Sequence, residues 1–241
     1  MTTYLSAVKL ITGDVVKHYL SEFIGTFIFV FIGWGAVMFA RPFIGYLGVS
    51  LAFGLAYSAA CLTFPEGHFN PAATVSAALS GMFRTGSKAK TALNAIGYIL
   101  VQTAGACAAA AVVRFICSEK AGYVPAVIGN IHLIDRYTLS AAFCLETILN
   151  LIFLCVFLKH YSNPEKKTAG CGLFITAAYL ISYPVTKGGL NPAKSTATAF
   201  FGGEEALEQL SVFWYSALLA ALTAGIIYNP SSKKALLRKK N

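Results

Sequence analysis

The tripeptide Asn-Pro-Ala is written twice in this chain, at residues 70–72 and at residues 191–193. Asn191 follows Asn70 by 121 positions, which is half of the 241-residue length, and each copy has a glycine three residues before its asparagine. A motif repeated at half of the chain length indicates an internal duplication. We therefore expect the two halves to share one structural plan.

Each copy of the motif also predicts the start of a short helix. Asparagine is a favoured N-cap, and proline fits the first helical position, where its missing N–H and fixed φ are no disadvantage. Gly81 and the pair Gly202-Gly203 predict that these helices end after about ten residues, or about 15 Å. Two such helices placed end to end would measure about 30 Å, the thickness of the hydrocarbon core of a bilayer.

The composition predicts an integral membrane protein. The chain is 56% hydrophobic and 12% charged, with a mean hydropathy of +0.64, whereas a soluble domain is about 25% charged. Six windows without charge at their centres have about the length of a membrane-crossing helix. These windows are residues 20–40, 46–64, 92–113, 139–158, 169–185 and 210–228. We expect no cleavable signal peptide, because the first apolar run is as long as a full span.

The net charge of +9 is better explained by membrane topology than by a nucleic-acid partner. If the six windows alternate in direction, thirteen of the 19 lysines and arginines fall on one side, Lys166 and Lys167 among them. The positive-inside rule assigns that side to the cytoplasm, so both termini are predicted to be cytoplasmic. Segment 229–241 is predicted to be a basic cytoplasmic tail that faces lipid, with a partner-binding site as the alternative.

Enzymatic chemistry has no recognisable residues in this sequence. There is no Walker motif, no HExxH and no GxSxG elbow. The six cysteines lack CxxC or metal-ligand spacing, and the four histidines are scattered. We therefore expect a protein that is not an enzyme, with no catalytic residues, no metal and no cofactor.

Two carboxylates lie inside apolar windows, Glu22 in the first and Glu146 in the fourth. An intramembrane carboxylate suggests proton or ion transport. Alternatively, it holds non-helical backbone that enters the membrane. Glu22 precedes Asn70 by 48 positions and Glu146 precedes Asn191 by 45, and this similar spacing favours support of the two loops.

The loops that carry Asn-Pro-Ala are apolar and rich in glycine, which indicates backbone buried at membrane depth. With three spans in each half, the halves insert in opposite orientations, as inverted repeats at about residues 18–117 and 139–228 of one domain. The two short helices then meet at the membrane midplane by their N-termini. Each N-terminus carries about +0.5 charge and repels cations.

At the paired boxes the chain resembles the aquaporin (major intrinsic protein) family, and it is most similar to the bacterial water channels of that family. Residues 67–72, 180–182, 184–186 and 206–210 carry the likeness. The resemblance implies an all-α integral membrane fold with six transmembrane helices and two re-entrant half-helices, one pore per subunit and a homotetramer. The implied pore residues are His68, Asn70, Pro71, Ala72, Asn191, Pro192 and Ala193.

The same resemblance maps four positions to the outer constriction, or selectivity filter: Phe53, Tyr179, Gly188 and Lys194. Bacterial water channels typically have Phe, His, Thr and Arg there, so only Phe53 agrees. Outside the filter, the positions that separate water channels from glycerol facilitators favour water. These positions are Ser195, Ala199 and the pair Phe213-Trp214.

The sequence thus predicts a passive channel for water, driven by osmotic gradients, that excludes ions and protons. It is expected in the cell (inner or plasma) membrane as a multi-pass protein, in contact with the lipid bilayer and without a nucleic-acid partner. One alternative is a broader facilitator of small neutral solutes such as glycerol, urea, ammonia or hydrogen peroxide. Others are a coupled transporter and a scaffold that does not conduct.

Overall fold

The computed structural model describes residues 2–83, 85–120 and 137–230, with side chains from residue 15 onward. Within these ranges all regular elements are helices. In chain order they are α1 (Thr2–Gly35), a π-helical turn (Ala36–Ala40), α2 (Arg41–Thr63), α3 (Pro71–Ser80), α4 (Lys88–Ser118), α5 (Leu139–Lys159), α6 (Pro164–Thr186), α7 (Pro192–Gly202), α8 (Glu204–Glu208) and α9 (Leu210–Tyr228). Arg84 and most of the predicted basic tail lie outside the described residues.

Among the described residues, five helical stretches are long and apolar enough to cross a membrane. The first, Val15–Thr63, has 49 residues, more than twice the roughly 20 that one crossing needs. Gly45 interrupts it with non-helical angles, φ 60° and ψ −168°, and α2 packs back along α1. This stretch therefore makes two crossings, and all six predicted windows are helical. The predicted fold class is confirmed.

Several helices begin before their apolar windows. Helix α6, which contains the fifth window, begins at Pro164 and not near residue 169. Asn163 caps it by accepting a hydrogen bond from Lys166 N at 3.0 Å. Helix α4, which contains the third window, begins at Lys88, and Ser87 caps it in the same way. Capping residues set these starts, whereas hydropathy marks only the part of a helix that lies in the apolar core.

Pairs of long helices are held together by close backbone contact. A side chain on Gly105 of α4 would overlap the backbone carbonyl of Phe23 in α1, and one on Gly54 of α2 would overlap that of Gly172 in α6. Because lipid removes the hydrophobic force between helices, small residues of this kind allow the van der Waals packing that replaces it. The two half-helices pack against α4 and α9, and α3 also packs against α5.

The half-helices α3 and α7 begin and end where the sequence predicts. Asn70 accepts a hydrogen bond from Ala72 N at 2.9 Å, and Asn191 accepts one from Ala193 N at 3.0 Å, so each asparagine is an N-cap followed by proline. The first half-helix ends at Gly81, whose φ of 78° suits glycine. The second ends at Gly202.

The distribution of polarity is that of a protein surrounded by lipid. Large apolar side chains face outward, such as Leu173 with 74% of its surface exposed and Leu62 with 70%. Ionisable side chains are buried inside, among them Glu22, Glu146 and Lys194. Intramembrane charges of this kind face the bundle interior and mark functional or supporting sites. The chain is a multi-pass membrane protein.

Candidate functional site

Two irregular loops lead into the half-helices. The inner loop, residues 64–69, precedes α3, and the outer loop, residues 187–190, precedes α7; "inner" denotes the end of the molecule where α5 and α6 are joined. Phe69 and Leu190, the residues directly before the two asparagines, have φ of 53° and 58°. This left-handed conformation costs a non-glycine residue about 1–3 kcal/mol. Surrounding groups must therefore hold both loops.

Glu22 holds the inner loop from α1. Its carboxylate accepts hydrogen bonds from His68 N at 2.7 Å and Phe69 N at 2.8 Å, and a third from Gln102 Nε2 at 2.7 Å. Only 1% of its surface is exposed. The carboxylate thus satisfies the two backbone N–H groups next to the strained residue, and this geometry favours the loop-support interpretation.

Glu146 does the same for the outer loop from α5. It is fully buried and accepts hydrogen bonds from Gly189 N at 2.9 Å, from Leu190 N at 2.8 Å and from the hydroxyl of Thr186. In each half, therefore, one carboxylate binds the backbone N–H groups of the two residues before the asparagine. The two halves use the same device.

The two asparagines bind each other's loops. Asn70 Nδ2 donates to Leu190 O at 2.9 Å, and Asn191 Nδ2 donates to Phe69 O at 2.7 Å. Both side chains line one small cavity, whose other walls are largely aromatic and aliphatic: Phe29, Tyr57, Phe153, Phe174, Ile175, Tyr179 and Leu190. The cavity has about 10 Å³ of room for the centre of a water molecule, roughly the space that one buried water needs.

The four predicted filter residues come together on the outer side of this cavity. Phe53 and Tyr179 stack with their ring centroids 3.9 Å apart and their planes at 15°. Lys194 Nζ lies 5.6 Å from the Phe53 centroid and 5.7 Å from that of Tyr179, and it donates to Gly188 O. The ammonium group is nearly equidistant from the two stacked rings and donates to a loop carbonyl, so the four residues form one cluster at this end of the cavity.

His68 lies at the inner end, almost fully buried. Its Nδ1 is 3.0 Å from Thr74 Oγ1, and its Nε2 is 3.0 Å from the hydroxyl of Tyr161. Burial raises the pKa of the Tyr161 phenol, so that group keeps its proton and can donate it to the imidazole. His68 and Tyr161 line a vestibule of about 410 Å³, together with Lys167, Glu66 and His18.

Sequence reasoning missed two residues of this site, Tyr57 and Lys167. The Tyr57 hydroxyl donates to His68 O at 3.1 Å, and Lys167 Nζ donates to Pro65 O at 2.6 Å and to Gly67 O at 3.3 Å. Tyr57 lies in an apolar window and gave no signal. Lys167 was counted with the cytoplasmic charges that set topology, although only 1% of its surface is exposed.

No set of three or more His, Cys, Asp or Glu side chains in the described part of the chain is arranged to hold a metal ion.

A family model described as "Major intrinsic protein" matches residues 9–228. The chain belongs to this family. The match confirms the resemblance, and it includes both half-helices and all four predicted filter positions of this family member.

Individual relatives agree with the family assignment. A protein named Aquaporin Z from Photorhabdus laumondii is 35% identical over 230 residues, which cover 89% of this chain and 96% of the relative. Another Aquaporin Z, from Rhodopseudomonas palustris, is 37% identical over 231 residues, covering 88% and 92%. Among solved structures, the aquaglyceroporin from Plasmodium falciparum aligns with a TM-score of 0.72 at 21% identity, over 89% of this chain and 93% of that one. At this identity the likeness concerns the fold alone.

Proposed function

We propose that this protein is a passive channel for water, driven by osmotic gradients, which excludes ions and protons. The observation that carries the proposal is the pair of asparagines on one cavity at the N-termini of two opposed half-helices. Each amide has two N–H donors and uses one of them on the opposite loop, which leaves the other for a water molecule. Similarity to relatives named Aquaporin Z supports the same function.

Exclusion of cations follows from the charges around the cavity. The two half-helix N-termini each contribute about +0.5 charge at its centre. The cavity lining includes no acidic side chain, and Glu22 and Glu146 are bound to the loops behind it. A water that accepts hydrogen bonds from both amides is oriented by them. Waters on either side then point in opposite directions and cannot relay a proton.

A broader facilitator of small neutral solutes is the second candidate. It is supported by the filter, where Gly188 has no side chain and Lys194 is a flexible point charge, not the planar fork of an arginine. Ser195, which follows Lys194 and by resemblance is typical of the water channels, favours water.

We also infer that the protein is a homotetramer in the inner or plasma membrane, with both termini in the cytoplasm and the inner loop entering from that side. Family resemblance supports the tetramer, and the excess of lysine and arginine on one side supports the orientation. We propose as well that residues 1–241 form one channel domain of two inverted repeats, because equivalent carboxylates and asparagines hold the two loops.

Osmotic shrinkage of proteoliposomes, followed by stopped-flow light scattering, tests the proposal. Mannitol, glycerol and urea serve in parallel as osmolytes, and the double variant Asn70→Ala, Asn191→Ala is the control. We expect water permeability well above that of protein-free liposomes, slow entry of glycerol and urea, and rates independent of ion gradients. Water permeability equal to that of protein-free liposomes would refute the channel, and rates that follow an ion gradient would indicate a coupled transporter.

A further inference from the structure

The backbone carbonyls of the two loops accept hydrogen bonds in the same order. In each loop, the carbonyl directly before the asparagine accepts from the amide of the other asparagine, Phe69 O from Asn191 and Leu190 O from Asn70. The next carbonyl away from the midplane accepts from a tyrosine, and the one beyond it from a lysine. Both halves of the pore thus present the same three donors in the same sequence.

On the outer side the two further donors are Tyr179 and Lys194. The Tyr179 hydroxyl lies 3.4 Å from Gly189 O, and Lys194 Nζ donates to Gly188 O. These carbonyls belong to the residues two and three positions before Asn191. Both side chains are already among the predicted filter residues.

On the inner side the donors are Tyr57 and Lys167. The Tyr57 hydroxyl donates to His68 O at 3.1 Å, and Lys167 Nζ donates to Gly67 O at 3.3 Å. Lys167 Nζ also donates to Pro65 O at 2.6 Å, a bond outside this comparison. His68 and Gly67 lie two and three positions before Asn70, which is the register found on the outer side. The lysines come from different elements, α6 and α7, so duplication of the chain alone does not produce this match.

We propose that Tyr57 and Lys167 form an inner constriction, equivalent to the outer constriction of Tyr179 and Lys194, and that the two in series determine which solutes pass. This inference rests on the proposed function as a water channel. It names the inner constriction as a second place where solute size and charge are selected.

The surroundings of Lys167 are those of a pore residue and not of a topological charge. Its ammonium group lies 5.6 Å from the ring centroid of Phe157 and 5.9 Å from that of Tyr161. It lines the inner vestibule, so a solute that leaves the vestibule for the pore meets this charge. The preceding lysine, Lys166, is exposed, as a charge that only sets topology would be.

Support of the inner loop does not by itself explain Lys167. The outer loop is held by Glu146 and the inner loop by Glu22, each through two backbone N–H groups. Both lysines bind carbonyls instead. Exposed carbonyls are the groups that replace the hydration of a permeating molecule in a channel, so a donor placed on them competes with that molecule.

Two constrictions in series make a prediction that one constriction does not. If their resistances are similar, removing either one raises solute permeability by at most about twofold, because the other still limits the flux. Removing both raises it by far more than the product of the two single effects. A single outer filter would instead give its full effect when Lys194 alone is removed.

The experiment uses the full-length protein in proteoliposomes as parent, Lys167→Ala, Lys194→Ala and the double variant. Lys166→Ala is the matched control, because it removes a neighbouring lysine that is exposed. Urea permeability is measured by stopped flow, and potassium leak by a voltage-sensitive dye. Two variants that nearly keep the side-chain volume are added in case an alanine variant does not fold: Lys167→Met, which removes the charged donor, and Tyr57→Phe, which removes the hydroxyl.

We expect Lys166→Ala to behave as the parent, each single alanine variant to gain at most about twofold in urea permeability, and the double variant to exceed the product of the two. Lys167→Met or Tyr57→Phe, combined with Lys194→Ala, should likewise give a urea permeability above the product of the two single effects. The inner constriction is refuted if Lys194→Ala alone reaches the double variant's permeability while Lys167→Ala matches Lys166→Ala.

Failure of the proposed function has a different signature. If the parent does not conduct water but the double variant does, the constrictions are supported and the parent is a channel closed at both ends. If no variant, including the double, exceeds protein-free liposomes in water or urea flux, both the channel and its inner constriction are refuted. If water flux is normal throughout and the variants combine as independent factors, only the inner constriction is refuted.

Discussion

Replacement of Glu22 separates support of the inner loop from a role in transport. In Glu22→Ala, the backbone N–H groups of His68 and Phe69 lose their acceptor, whereas Gln102 keeps a second bond, to Thr74 Oγ1 at 3.0 Å. A buried N–H without a partner costs about 1–3 kcal/mol, so the two together cost roughly 2–6 kcal/mol. The cavity left by the side chain adds to this loss.

Glu22→Gln should lower the free energy of unfolding less than Glu22→Ala does, because the glutamine side chain keeps one of the two acceptor oxygens. Its amide oxygen can occupy the position of Oε2, where it accepts from Phe69 N and from Gln102 Nε2. The amide nitrogen then faces His68 N, so one backbone N–H loses its acceptor. The expected cost is about 1–3 kcal/mol, roughly half of that for alanine or less. In Glu146→Gln one backbone N–H, that of Gly189 or Leu190, likewise loses its acceptor. The expected cost in stability is therefore the same as for Glu22→Gln.

Thermal unfolding in detergent and stopped-flow water flux test these expectations on the same preparations. The midpoint temperature should fall in the order parent, Gln variant, Ala variant, and water flux per folded protein should be largely kept in the Gln variant. If folded Gln and Ala variants lose all flux equally, the charge itself is needed and the loop-support reasoning is wrong. If the Gln and Ala variants unfold at the same midpoint temperature, the energies assigned above to the lost hydrogen bonds are refuted.

Three further predictions concern the pore and its packing. Lys194→Arg should lower urea and glycerol permeability relative to water, because a planar fork can bind several carbonyls at once; an unchanged ratio in stopped flow would remove Lys194 from the filter. Asn191→Asp should raise potassium leak, because a carboxylate opposes the positive helix ends, and unchanged leak in the dye assay would count against that electrostatic account. Gly105→Leu should lower the thermal midpoint, because its side chain would overlap the backbone of Phe23, whereas exposed Leu100→Ala in the same helix should not.

Features with local causes could be predicted from the sequence. The starts of α3 and α7 follow from asparagine followed by proline, and the end of α3 follows from Gly81, since capping depends on a few adjacent residues. The six crossings follow from apolar length. The apolar windows do not give the starts of α4 and α6, because hydropathy does not detect caps such as Asn163.

The contacts of Glu22 and Glu146 with the two loops could be predicted from the internal duplication, because equivalent residues of the two halves are expected to have the same role. Two similar distances along the chain were enough to favour one role for both carboxylates. The filter positions, in contrast, came only from resemblance. The stack of Phe53 on Tyr179 joins residues 126 positions apart, and no local pattern in the sequence indicates that their rings meet.

Sequence reasoning misses Lys167 and finds Lys194 only through resemblance, yet the placement of both lysines in their helices points to the pore. Each lies in the first turn of its helix, where a cation opposes the macrodipole by about 0.3–1 kcal/mol. Helix stability therefore does not explain either lysine. Each ammonium is bound instead by a carbonyl of a loop outside its own helix, and that carbonyl lies three residues before an asparagine cap. For Lys167 the two acceptors, Gly67 O and Pro65 O, are 100 and 102 positions away, so only the fold brings these groups together. Two unfavourable placements that end on equivalent carbonyls are better explained by what must cross the pore than by what holds the helices.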